Sequence, residues 1–280
     1  MAYECFDIEI EGGVAHLRLN RPESFNSMIR PFWNELPAAI RDIDDNAKAR
    51  VIVISSTGKH FCAGMDLAVF TEPAGDGSGT SAELGRQRHA LRDWVKVLQD
   101  SFTVLDQARI PVLVAIQGAC IGGAVDMISA CDMRYATQDA FFCIQEINIG
   151  MTADVGTFPR LCHLIPQGWV RELSYTGRRL PAARARDIGL VNEVFPDHET
   201  LVAAVLETAR EIAARSPLAV AGSKVMINYA RDHTIADGLD YIATWQTGMF
   251  QPADMMEAFA ARQENREPRY EGLQPLRKRM

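Results

Sequence analysis

The sequence predicts an α/β fold: an alternating β and α core over residues 1–198, followed by a helical C-terminal module over 199–280. Three observations carry this. Val51-Ile-Val-Ile-Ser55 and Pro111-Val-Leu-Val-Ala-Ile116 are continuous apolar runs, the pattern of strands buried on both faces of a parallel sheet. Helical stripes separate such runs through the first two thirds of the chain. Beyond about residue 199 only helical periodicity is left, which implies a layered core with a helical appendage. The length of 280 residues suits one large domain plus a smaller unit.

Cys5 to Ile10 alternates, Gly12-Gly13 follows, and Val14 to Leu19 alternates again, so a β-hairpin with a glycine turn opens the chain. Trp33, Leu36, Ile40 and Ile43 share one helical face over 30–44; Pro37 inside it should kink the helix or start its main body. Strand 51–55 comes next. PAGDGSGTSA at 73–82 reads as a mobile surface loop. Leu91, Trp94, Val95, Leu98, Phe102 and Leu105 form a second stripe ahead of strand 111–116. Short strands are expected at 133–136 and 140–144. Helices are expected around Val202–Ile212, Leu218–Tyr229 and Ile235–Phe250.

A hydrophobic fraction of 48% and a charged fraction of 23% are those of an ordinary globular protein. The net charge of −7 argues against nucleic-acid binding but leaves room for a small anionic ligand at helix N-termini or lysines. No run of 18 apolar residues suggests a membrane span. MAYECFDIEIEGG lacks the marks of a signal or transit peptide, and the RKRM ending is not a peroxisomal address. A cytoplasmic protein is the expectation. Six cysteines without a C-x-x-C pair suggest reduced thiols, with neither a disulfide framework nor a metal site.

Chemistry is expected in the glycine-punctuated apolar third of the chain, where Asp126, Glu146 and Asp154 stand 20 and 8 residues apart. An acid in an apolar setting needs a partner or takes up a proton, and a carboxyl of raised proton affinity suits proton transfer near neutral pH. Structural readings stay open beside this: Asp126 bonding a nearby amide, Glu146 as a surface acid, Asp154 capping a helix from Val155. Asp66 and Asp132 read as structural, and the six histidines as non-catalytic.

Two turns each follow a buried strand and precede a helix-like segment: Phe61-Cys-Ala63-Gly64-Met65-Asp66 and Gly118-Ala-Cys-Ile-Gly122-Gly123-Ala124. Glycines admit close backbone approach, and a helix start leaves N–H groups free. A pair of such donors stabilises an oxygen that gains negative charge. Tight turns that serve packing alone are the competing reading. The missing Gly-Lys-Ser/Thr ending excludes a phosphate loop of the P-loop type.

With these segments in view, the chain resembles the crotonase (enoyl-CoA hydratase/isomerase) superfamily from end to end. Asn20-Arg-Pro-Glu-Ser-Phe-Asn26-Ser-Met, Phe61–Asp66, Gly118–Asp132, Thr176-Gly-Arg-Arg-Leu and Ile188–Val194 carry the likeness. Within it, CIGGAVDMISACDMRYATQDAFF, TADVG and the context of Tyr229–Thr234 are similar to the Δ3,5-Δ2,4-dienoyl-CoA isomerases. The resemblance implies a ββα spiral core with a C-terminal trimerisation module, assembled as a homotrimer or homohexamer. It implies an acyl-CoA substrate, with coenzyme A part of that substrate and no separate cofactor.

The resemblance also implies residue roles. The oxyanion-hole amides would be those of Ala63 and Gly123, with Ala63, Gly64, Met65, Asp66 and Gly123 touching substrate. Asp126, Glu146 and Asp154 match the isomerases' three acids; hydratases resemble this chain at the first two places, with glutamates, and usually carry glycine at the third. Moving a 3,5-diene to the 2,4 position removes a proton at C2 and adds one at C6, so a carboxyl is needed at each end. Glu146 and Asp154 would be that pair, and Asp126 an orienting group. Coenzyme A would meet Asn20–Met28 and the turn near residue 60, with Lys59 and Arg277-Lys-Arg279 near its phosphates. Met65, Val69, Phe70 and Trp94 would line an acyl pocket or simply pack. Two alternatives are an enoyl-CoA hydratase (or another crotonase-type isomerase) and a non-catalytic crotonase-fold binding protein.

Overall fold

The computed structural model describes residues 3–66, 68–69 and 84–277. Phe70, the glycine-rich stretch 73–82 and residues 278–280 lie outside them. The hairpin forms as expected: β1 (Phe6–Glu11) pairs antiparallel with β2 (Val14–Leu19). Both turn glycines, Gly12 and Gly13, have positive φ, which a side chain resists.

The chain then winds β2, β3 (Val51–Ser56), β4 (Val112–Ile116), β6 (Met133–Thr137) and β9 (Glu193–Phe195) into one sheet, parallel from β2 onward, with β1 at its edge. All residues of β3 and β4 are buried, because both faces are covered. On one side lie α1 (Phe32–Asp45), α2 (Leu84–Gln107) and the α3 helix (Gly123–Ser129), whose apolar faces join Leu17, Ile52, Ile54 and Val114 in the main core. On the other side, Leu201, Val205 and Ala209 of the helix His198–Ala213 pack on Val51, Val53 and Leu113. That helix lies within the residues assigned to the C-terminal module, yet it seals the sheet. Pro37 sits inside α1 and does not end it.

A second, three-stranded sheet joins β5 (Ala119–Ile121), β7 (Phe141–Cys143) and β8 (Leu180–Pro181). Its order places the Gly122–Gly123 turn beside the loop that carries Glu146.

Helices Pro217–Tyr229, Ile235–Met249 and Pro252–Gln263 extend beyond the core. The buried Lys224 ammonium ties the first of them down, donating to the carbonyls of Leu105 and Ile110 and to Asp132 at 2.8 Å. Asp132 also accepts the Val112 amide, so its structural reading holds. The outer helices leave Ile235, Leu239, Met256 and Phe259 exposed. Among the described residues, no helix is long and apolar enough to cross a membrane.

Candidate active site

The two glycine turns meet. Cys62 donates its amide to Ala119 and accepts from Ile121, so residues 61–65 run alongside β5. Gly64 (φ +87) packs so closely that a side chain there would begin 2.6 Å from the Ile121 carbonyl and 3.4 Å from the Gly123 nitrogen. Gly123 in turn faces the Met65 nitrogen and the Met28 sulfur, with Trp33 behind them.

Which amides are free corrects the sequence reading. The Ala63 N–H donates to the Phe25 carbonyl at 3.0 Å, so it is committed within the fold and cannot hold a ligand oxygen. The Met65 N–H, two residues on, donates to no described backbone group, because the bridge to Met28 uses the Gly64 carbonyl and the Asp66 amide. Gly123 begins a helix, so its N–H has no intrahelical partner. Met65 and Gly123 therefore form the pair of available donors. Asp66 accepts from Ser27 and from the Ala68 amide, bonds that hold its carboxyl below the usual range and that serve the turn.

The three acids come from three different elements. Asp126 is fully buried in the first turn of α3. One of its oxygens accepts from both the amide and the hydroxyl of Thr157, at 2.6 and 2.7 Å; the other has no partner. Burial raises its proton affinity to a pKa of about 6, against the pull of the Thr157 bonds. Glu146 opens a 3-10 turn (Glu146–Ile149) after β7. Its Oε1 would lie 3.2 Å from a side chain at Gly122, and its Oε2 is buried without a partner. Desolvation, then the charges of Asp126 and Asp154, push Glu146 up to about 7.

Asp154 is more open. Burial still raises its pKa, and its carbonyl accepts the Gln99 side-chain amide at 2.7 Å. It does not cap the following helix (Thr157–Leu164), whose N-cap is Gly156. Asp154 lines a polar cavity of about 430 Å³ with Gln99, Thr103, Arg160 and Arg231, which Glu146 does not line. The charge of Asp154 is the least of the influences that raise Glu146.

The outlying expectations separate. Asn26 is buried and spends its side chain on Arg21, Thr57 and His60, a structural use. Trp94 is exposed on α2. Thr157, which holds Asp126, and Gln99, which bonds the Asp154 carbonyl, do not stand out in the sequence; a threonine three residues after Asp154, at a helix start, is the available signal for the first.

Residues 9–274 match the family model described as "Enoyl-CoA hydratase/isomerase". The chain belongs to the enoyl-CoA hydratase/isomerase family. Within this family it is 42% identical over 259 residues to the rat protein named Delta(3,5)-Delta(2,4)-dienoyl-CoA isomerase, mitochondrial, covering 91% of this chain and 77% of that one. It is 40% identical to the Arabidopsis thaliana protein of the same activity name, designated peroxisomal, over 94% of both chains. A solved enoyl-CoA hydratase from Bacillus anthracis superposes with a TM-score of 0.85 at 29% identity, over 96% of this chain and 100% of its own. The family model and these matches bear out the crotonase-type fold.

Proposed function

We propose that this protein converts 3,5-dienoyl-CoA to 2,4-dienoyl-CoA by proton transfer, without a separate cofactor. The observation that carries the reading is the buried, partnerless carboxyl oxygen of Glu146 beside the Gly122–Gly123 turn and its free amide, with Asp154 as a third acid eight residues on. The names of the relatives at 40–42% identity support it.

In this reading the Met65 and Gly123 N–H groups hold the thioester oxygen. Glu146 lies against the turn that ends in Gly123, next to the carbonyl and hence next to C2, so we assign it the C2 proton. Asp154, which lines the separate polar cavity, is assigned the return of a proton at C6. A base near pKa 7 and an acid of raised pKa suit these tasks. Charge spreads along the dienolate to the oxygen, where each donor is worth ~3–4 kcal/mol in the transition state. Asp126, with one oxygen held twice by Thr157, orients and shapes the field rather than carrying a proton.

Incubation with a 3,5-dienoyl-CoA tests the reaction. The expected result is the new absorbance of a diene conjugated to the thioester, with no water added. Hydration of 2-enoyl-CoA without isomerisation would favour a hydratase, and tight binding without turnover a binding protein.

Assembly as a homotrimer or homohexamer belongs to the same proposal, supported by the apolar residues that the outer helices expose. Light scattering on the purified protein measures it. A reducing compartment, the cytoplasm in our reading, is supported by six unpaired cysteines, five of them buried.

A further inference from the structure

Arg160 is a half-buried guanidinium whose surroundings are unusual for a cation. Its Nη2 donates to the Thr103 hydroxyl at 3.1 Å, a neutral partner that satisfies one of its five N–H groups. Asp106, whose charge also acts on Arg160, is held by both terminal nitrogens of Arg231, at 3.0 and 3.2 Å. Asp106 is therefore already matched. On the opposite side the guanidinium lies over Gly156, filling the space that a side chain there would need. Gly156 has φ +138 and stands between Asp154 and Thr157, the residue that holds Asp126.

We propose that Arg160 is a positioning residue of this site: wedged over Gly156 and tied to Thr103, it fixes the turn Asp154–Thr157 and supplies positive charge toward the buried Asp126. The inference rests on the isomerase reading above. Asp154 becomes an anion each time it gives up a proton, and it lines the same polar cavity as Arg160. Removing Arg160 would free the turn that carries Asp154 and leave the buried Asp126 without this positive charge. The other ionisable groups facing the guanidinium or lining the cavity are Asp106, Arg231, Cys131, His163 and Asp232. The direction of its effect on Asp126 agrees: the Arg160 charge lowers that carboxyl's proton affinity.

Two substitutions separate charge from shape. Arg160→Met should lower kcat about 10- to 100-fold through loss of alignment, with KM little changed. It should also move the acid midpoint of kcat/KM upward by roughly one pH unit, because the carboxyl cluster loses a nearby cation. Arg160→Lys keeps the charge but not the planar fork, so the midpoint should stay while kcat falls. A folded Arg160→Met enzyme with the wild-type midpoint and kcat overturns the inference. Should that variant not fold, a wild-type kcat in Arg160→Lys overturns it instead. Carboxyl 13C NMR titration of wild type and variants reads the same charge without substrate. Shifted titration with no turnover by wild type would sink the proposed reaction, whereas an unshifted titration would sink the role of Arg160.

Discussion

The Glu146 carboxylate rests against the Cα of Gly122, at a distance that would put Oε1 3.2 Å from any side chain there. The next residue is Gly123, one of the two free donors. Base and oxyanion donor thus sit side by side, although they come from separate turns of the chain.

Glu146→Gln and Asp154→Asn should each lower kcat by about 10²–10⁴, the usual worth of a positioned acid or base. They should differ in a second measurement. In D2O, the Asp154→Asn variant should still exchange the C2 hydrogen of substrate, and Glu146→Gln should not. Exchange surviving in Glu146→Gln but lost in Asp154→Asn would reverse the assignment.

The pH profile follows from the coupling. Asp126 near 6 and Glu146 near 7 interact, so the observed steps belong to the cluster. Because the C2 base must be ionised, kcat/KM should rise with pH across this range. The Asp126 charge raises Glu146; Asp126→Asn removes it, so the step should move to lower pH. An upward move in the initial-rate profile would contradict this geometry.

Stability should carry the same signature. Glu146 rises from an ordinary 4.5 to about 7 on folding, so the folded state binds its proton more tightly. The stability this group contributes is fully present below 4.5 and is lost as pH rises through about 7. Glu146→Gln removes the penalty of a buried charge. Its Tm should therefore gain on wild type between those pH values, and parallel Tm curves would rule the effect out.

Glycine substitutions should divide by backbone geometry. Gly64→Ala puts a Cβ at φ +87 and 2.6 Å from a carbonyl, which should cost roughly 1–3 kcal/mol along with activity. At Gly123 the nearest atom is the Met28 sulfur at 3.2 Å, the end of a flexible chain. Gly123→Ala should therefore melt closer to wild type while losing kcat. Chemical denaturation alongside steady-state kinetics distinguishes the two.

Much of this was legible because it depends on local pattern. The buried strands Val51–Ser56 and Val112–Ile116 announce themselves as unbroken apolar runs, and Gly12-Gly13 as a turn. Glu146 and Asp126 stood out because acids are costly in apolar company. What was not legible depends on which distant atoms meet. Nothing near Ala63 reveals that Phe25, 38 positions earlier, takes its amide; the free donor thus moved to Met65. Arg160 reads as an ordinary helix arginine until Arg231 is seen to occupy Asp106. The helix His198–Ala213 has the periodicity of the outer helices, and only the sheet's uncovered face explains its place in the core.

The Lys224 anchor has a consequence for how the protein comes into being. Its ammonium meets Asp132 and the carbonyls of Leu105 and Ile110, so the entry to strand β4 is braced by a residue made late in translation. A nascent chain still short of that lysine would present Asp132 without its countercharge. Competence should consequently arrive only once the ribosome has released most of the polypeptide.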